Sequence, residues 1–278
     1  MKGSSCMITL LILFNSCFNP ETARTSETGR TDSTGPSQPA VIGYTVHASY
    51  PHDTAYFTEG LEYYQGKLWE SSGGNITESP YPSALGVVNT QTGRNDPRVL
   101  MDRGKYFAEG ITFFRDKLYW LTLDNGIGFV YDAQDFKQLR SFKLPSIEKK
   151  GWGLTHDSSH IIMSDGTDRL YYLHPDSLTL VKKISVRDNR GPVNNLNELE
   201  YVNGKIYANR WLTSYILVID PATGYVTGTI DLALLQKEAD RKMPGYRELN
   251  GIAWNAATGR MMITGKRWSE MYEIILHQ

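Results

Sequence analysis

The stretch 57–73, FTEGLEYYQGKLWESSG, returns with altered letters as FAEGITFFRDKLYWLTL at 107–123 and GWGLTHDSSHIIMSDG at 151–166. LNELEYVNGKIYANRW at 196–211 and LNGIAWNAATGRMMITGK at 249–266 are two further copies, so about five units follow one another at roughly 45–50 residues. The units open on a Gly-hydrophobic step and run into strand-like segments at 61–64, 111–114, 154–156, 199–202 and 252–254. Turn residues follow: Gln65-Gly66, Arg115-Asp116, Asp157-Ser158, Asn203-Gly204 and Ala257-Thr258-Gly259. Asn-Gly between two β-rich runs is a strong hairpin signal, because both central residues of that tight turn need positive φ. Third strands such as GFVYD, LYYLH and ILVID and fourth strands such as LRSFKL, LVKKISV and VTGTIDL complete each unit. Four strands per repeat make the blade of a propeller, so the expected fold is all-β, a five-bladed β-propeller. The last copy ends after its third strand, MYEIIL, while VIGYTVHASY from Val41 has no partner in its own unit. The N-terminal strand is therefore expected to close the last blade and protect the open edges. One short helix, Leu232–Lys242, is expected as an insertion before the fifth blade.

The chain has 278 residues, 29 basic against 30 acidic, and no basic stripe, which excludes a nucleic-acid surface. The basic pairs at Lys149 and Arg241 read as solvated loop charges. At the N-terminus, Lys2 precedes the apolar run MITLLILF and then Asn15, Ser16 and Cys17. This reads as an export signal over 1–17, too short to span a bilayer permanently. The small residue before Cys17 resembles a bacterial lipoprotein cleavage site, although Phe14 stands where leucine is usual. Membrane contact is then expected only through a lipid on Cys17, on an exported monomer facing the periplasm or the outer surface. Residues 18–40, rich in Thr, Ser, Gly, Glu and Pro, read as a disordered tether, leaving 41–278 as the catalytic propeller. The only two cysteines, Cys6 and Cys17, lie in the targeting segment, so the folded domain holds no disulfide and no cysteine metal site.

Stacking the repeats puts Glu59, Glu109, Trp152, Asn197 and Asn250 in one column. Innermost strands run along the propeller axis, so these residues are expected to ring one mouth of the channel. A second column, at the ends of the second strands, collects Gly73, Leu123, Gly166, Trp211 and Lys266 at the same mouth. Tryptophan walls, carboxylates and an ammonium suit a small polar ligand that carries an amine. His52 and His156 lack a partner at metal-ligand spacing and read as structural.

From about His52 to the C-terminus, HDTAYFTEGL, FAEGIT, GWGL, LNELEYVNGKIYANRW, LNGIAW and TGKRW together resemble the plant and bacterial glutaminyl cyclases, a five-bladed propeller family. The resemblance implies conversion of an N-terminal glutamine to pyroglutamate with loss of ammonia. Carried over by motif, it implies Glu109 as the proton shuttle and Lys266 or Asn197 as support for the oxyanion. Phe57, Glu59, Trp152, Trp211, Asn250 and Leu123 then bind the substrate. No catalytic metal or other cofactor is required, and room is left for a structural ion in the channel. Two positions depart from the family's pattern: Glu59 replaces a usual glutamine in F-T-Q-G, and Leu123 replaces a tryptophan. Two other readings stay open: a metal-assisted lactonase or sugar hydrolase using Glu59 and Glu109, and a catalytically silent propeller that binds peptides.

Overall fold

Two-residue turns start the architecture. Gln65-Gly66 and Asn203-Gly204 both carry positive φ at each central position, as do Arg115 and Asp116, and each closes the hairpin between the first and second strands of a blade. The computed structural model describes residues 37–77, 79–245 and 248–277. The export signal and the tether up to residue 36 lie outside these.

Five four-stranded antiparallel blades radiate from one axis. Blade 1 is Thr58–Tyr64, Lys67–Ser72, Ala84–Val88 and Asn95–Leu100; blade 2 is Ala108–Phe114, Lys117–Thr122, Ile127–Asp132 and Gln138–Lys143. Blade 3 (Leu154–His156, Ile161–Ser164, Arg169–Leu173, Leu180–Ser185) and blade 4 (Leu196–Val202, Lys205–Arg210, Tyr215–Ile219, Val226–Asp231) follow. Blade 5 takes Leu249–Asn255, Arg260–Gly265 and Glu270–Leu276 from the C-terminal end and its outer strand, Tyr44–Pro51, from the N-terminal side. That outer strand pairs antiparallel with Glu270–Leu276, from Tyr44 opposite Leu276 to Pro51 opposite Glu270, which is the expected ring closure.

Two details go beyond the sequence expectation. Ala40, the last residue assigned to the tether, is already strand: Ala40–Val41 pairs in parallel with Gly228 and Thr229 on the rim of blade 4. The helix runs Ala233–Lys242, with Leu235 and Ala239 buried against the blade 4–blade 5 interface.

Among the described residues the core forms five wedges, one between each pair of neighbouring blades. The wedge between blades 5 and 1, with Leu61, Leu68, Ala253, Met262 and Met271, seals the ring. Burying about 25 cal/mol for each square ångström of apolar surface in every wedge makes closure cooperative, since opening one seam exposes two blade faces.

At the axis the repeated glycine has a steric reason. A Cβ on Gly60 would sit 2.8 Å from the Ile111 nitrogen, and one on Gly110 would sit 2.6 Å from the Leu154 nitrogen. A Cβ on Gly153 would collide with the Asn197 carbonyl, so these inner strands touch backbone to backbone. Blade 4 breaks the pattern with Glu198, whose carboxyl reaches across the axis. It accepts the N–H of Leu61 in blade 1 at 3.2 Å and of Ile252 in blade 5 at 2.9 Å. Glu62 and Glu200 repeat the device, accepting the N–H groups of Phe113 and Trp254 in the next blade. Replacing Glu198 with Ala strands two buried donors and is expected to cost about 2–5 kcal/mol. Denaturant unfolding checks this, and a loss below about 0.5 kcal/mol would remove Glu198 from the axial scaffold.

Candidate active site

The inner strands deliver their first residues, and the second strands their last, to the same mouth. There a cavity of about 290 Å³ opens, close to the lower end for small-molecule sites. Glu59 and Glu109 stand on its floor, 2% and 3% exposed. Lys266 Nζ donates to Glu59 Oε1 at 2.8 Å and lies 4.7 Å from the centre of the Phe57 ring. Asn250 Nδ2 donates to the other Glu59 oxygen at 3.2 Å and to the Thr58 carbonyl at 2.9 Å. The two carboxyl groups are themselves within hydrogen-bonding reach of each other.

Electrostatics separates their roles. Burial drives the Glu59 pKa up, the Lys266 charge offsets part of this, and the result is about 7. Burial and then the Glu59 charge push Glu109 well above the carboxylate range, with Lys266 opposing and Asp124 adding to the rise. Burial also opposes the Lys266 ammonium, but the carboxylates of Glu59 and Glu109 outweigh it and keep its pKa above the ordinary value. Burial and mutual repulsion thus raise the proton affinity of the pair as a whole, and the Lys266 ammonium favours the charge on the Glu59 side.

The walls are aromatic. Trp152 and Trp211 meet edge to face at 5.3 Å, and Phe57 and Phe107 do so at 6.0 Å. Gly166, at φ +84°, lies directly under the Trp152 ring, and Gly73 lies under Phe107, where any Cβ would strike the ring. These glycines of the second column are the floor of the walls and carry no chemistry. The Trp152 Nε1 donor and the Asn197 side-chain oxygen are both buried with no partner. Because the two ends of an amide look alike, Asn197 can present its NH₂ there just as well. Ser71 fixes the Glu109 backbone, donating to its carbonyl at 2.6 Å while receiving the Trp120 indole N–H at 2.7 Å.

Eight of the nine expected site residues line the cavity: Phe57, Glu59, Glu109, Leu123, Trp152, Asn197, Trp211 and Lys266. Asn250 does not. It is wholly buried behind Glu59, with its NH₂ group donating to blade 1 and its side-chain oxygen without a partner. Lys266 gives one of its three N–H donors to Glu59 at this wall. Three liners escaped the sequence reading: Phe107, Asp124 and Lys150. Phe107 sits in the repeated FAEG step and was open to the same column argument. His52 is structural, with Nε2 2.9 Å from Glu70 and Nδ1 2.7 Å from the Trp268 carbonyl. His156 packs against Phe114 at 4.7 Å, away from the mouth's polar groups.

Fold and site together define a five-bladed propeller with a buried carboxyl pair, a lysine and an indole wall at one axial mouth. The chain belongs to the glutamine cyclotransferase family, whose model matches residues 14–276. A glutaminyl-peptide cyclotransferase of Arabidopsis thaliana is 36% identical over 235 residues, covering 84% of this chain and 71% of that protein. The crystal structure of a glutaminyl cyclase of Myxococcus xanthus matches with a TM-score of 0.76 at 33% identity, over 86% of this chain and 98% of that one.

Proposed function

We propose that this chain is a glutaminyl cyclase, which closes the N-terminal glutamine of a peptide or protein into pyroglutamate and releases ammonia, with the Glu59–Glu109 pair moving the protons. The observation that carries this is a pair of buried carboxyls within hydrogen-bonding reach of each other at the floor of a cavity walled by indoles, in a member of this family.

The reaction joins the glutamine α-nitrogen to its own side-chain carbonyl carbon and breaks the bond from that carbon to the amide nitrogen. Both groups belong to one residue, so the site gains most by holding the folded conformer. Trp152, Trp211 and Leu123 supply the walls for that. As the new bond forms, the amine proton passes to the carboxyl pair while the pair's own proton goes to the leaving nitrogen. The pair ends the cycle with one proton, as it began. Charge builds on the carbonyl oxygen, and the unpartnered Trp152 N–H with the Asn197 amide supports a role as its donors, a contribution of about 3 kcal/mol where such groups are well placed. Cyclisation by this route requires no cofactor.

A metal-assisted hydrolase would need Glu59 as a ligand, but its oxygens already face Lys266 and Asn250. Among the described residues no three His, Cys, Asp or Glu side chains are grouped to hold an ion. Lipidation at Cys17 and an exported monomer belong to the same proposal, supported by the pattern of residues 1–17. Loss of the protein from the membrane fraction in Cys17→Ser tests them.

Mass spectrometry of a Gln-initiated peptide incubated with the enzyme tests the activity: loss of ammonia is expected, and an unchanged mass would reject it. The pH profile tests the pair. Below about 7 Glu59 takes up a second proton and no base remains, so kcat/KM is expected to fall as pH drops. In Glu59→Gln the base that sets this limb is gone, so the acid limb near 7 is expected to disappear together with most of the turnover. An acid limb kept at the same pH would show that another group sets it.

A further inference from the structure

The cavity does not end at its rim. A second groove of about 230 Å³ shares Phe107 and Asp124 with it and continues over the loops that follow the second strand of blade 1 and the fourth strand of blade 1. Two other surface depressions, beside Ala40–Val41 and His277, share no lining residue with the glutamine cavity. A peptide whose first residue fills that cavity must leave across its rim, at about 3.3–3.6 Å per extended residue, and this groove is continuous with that rim through Phe107 and Asp124.

Its lining is cationic and amide-rich. Arg103 donates to the Ser79 carbonyl, while its Nε is buried with no partner and no carboxylate pairs with it among the described residues. Lys105 projects beside it, 69% exposed and tied at 3.2 Å to Asp102, an exposed pair of little strength. Asn125 is anchored to the Lys105 carbonyl at 3.1 Å, and Ile76, 69% exposed, offers an apolar edge for the stem of a side chain. Asp124 lines both the cavity and the groove, so a carboxylate stands at their junction, where a second acid would meet like charge.

We propose that this groove is a subsite for the residues following the N-terminal glutamine and that it selects an acidic side chain beyond the junction, in the third residue before the second. This rests on the cyclase reading above and adds the class of peptide it favours.

Cyclisation of C-terminally amidated pentapeptides carrying Glu, Ala or Lys at the second or third position, with glutaminamide as the minimal substrate, tests it. Glu at the third position is expected to give kcat/KM about threefold to tenfold above Lys, with the gap closing at high salt. In Lys105→Ala the gap should shrink, and in Lys105→Ala with Arg103→Gln it should fall to within about twofold, while glutaminamide turns over as in the wild type. Equal rates for Glu and Lys peptides in the wild type, a preference that survives both substitutions, or an equal loss on glutaminamide would each overturn the subsite. Absence of turnover on every substrate, glutaminamide included, would instead strike the cyclase reading and take the subsite with it.

Discussion

Glu109→Gln is expected to fold like the wild type and to lose turnover on a Gln-initiated peptide by about 10²–10⁴-fold, the range for removal of a positioned acid–base group. The substitution keeps volume and shape, and a neutral amide takes the place of a carboxyl whose protonated form burial favours, so Glu59 and Lys266 keep their contact. What disappears is the proton that reaches the leaving nitrogen. KM should move little, because the glutamine is held by the aromatic walls. Steady-state ammonia release read beside thermal unfolding separates the two effects. Wild-type turnover in Glu109→Gln would leave proton transfer to another group.

Lys266→Met is expected to cost both stability and activity. The ammonium lies 2.8 Å from Glu59 with both side chains buried, so its removal leaves a carboxylate without its counter-charge. Breaking a buried pair from one side typically costs about 3–5 kcal/mol. Here Glu59 escapes part of that by taking up a proton, and in doing so it ceases to be the base. Activity should therefore fall by about 100-fold or more at pH 7, more steeply than stability alone explains. The double variant Glu59→Gln with Lys266→Met tests the assignment: most of the lost stability should return, since no buried charge is left alone. A single Lys266→Met variant as stable as the wild type would show that the pair does not carry this load.

Much of the fold was legible because propeller repeats restate the same steric need. The glycine of FTEG, FAEG and GWG is kept wherever inner strands touch at the axis, and the aromatic third strands fill the wedges between blades. Glu59, Glu109, Trp152 and Asn197 could be placed at one mouth because register within a repeat fixes height along the axis. Height does not fix which neighbour a side chain chooses. Asn250 shares the column of Glu59, yet the Glu59 carboxylate and the Thr58 carbonyl draw its amide behind the cavity wall. Lys150 stands two residues before Trp152, as Phe57 does before Glu59, and Asp124 directly follows Leu123, so both lie a step off the two columns, where the residue type changes from blade to blade. Glu198 was visible as the odd residue in a glycine column, but its meaning needs the N–H groups of Leu61 and Ile252 from two other blades. The parallel pairing of Ala40–Val41 on blade 4 has no local signature, because an open strand edge accepts almost any extended backbone.

The location and pose of the substrate are tested most directly by a crystal structure of Glu109→Gln soaked with a Gln-initiated peptide. The glutamine is expected in the axial cavity between Trp152 and Trp211, its side-chain oxygen on the Trp152 N–H and its α-amine turned toward residue 109 and Glu59. A peptide bound elsewhere on the propeller, or one whose α-amine points out into solvent, would contradict cyclisation at this mouth.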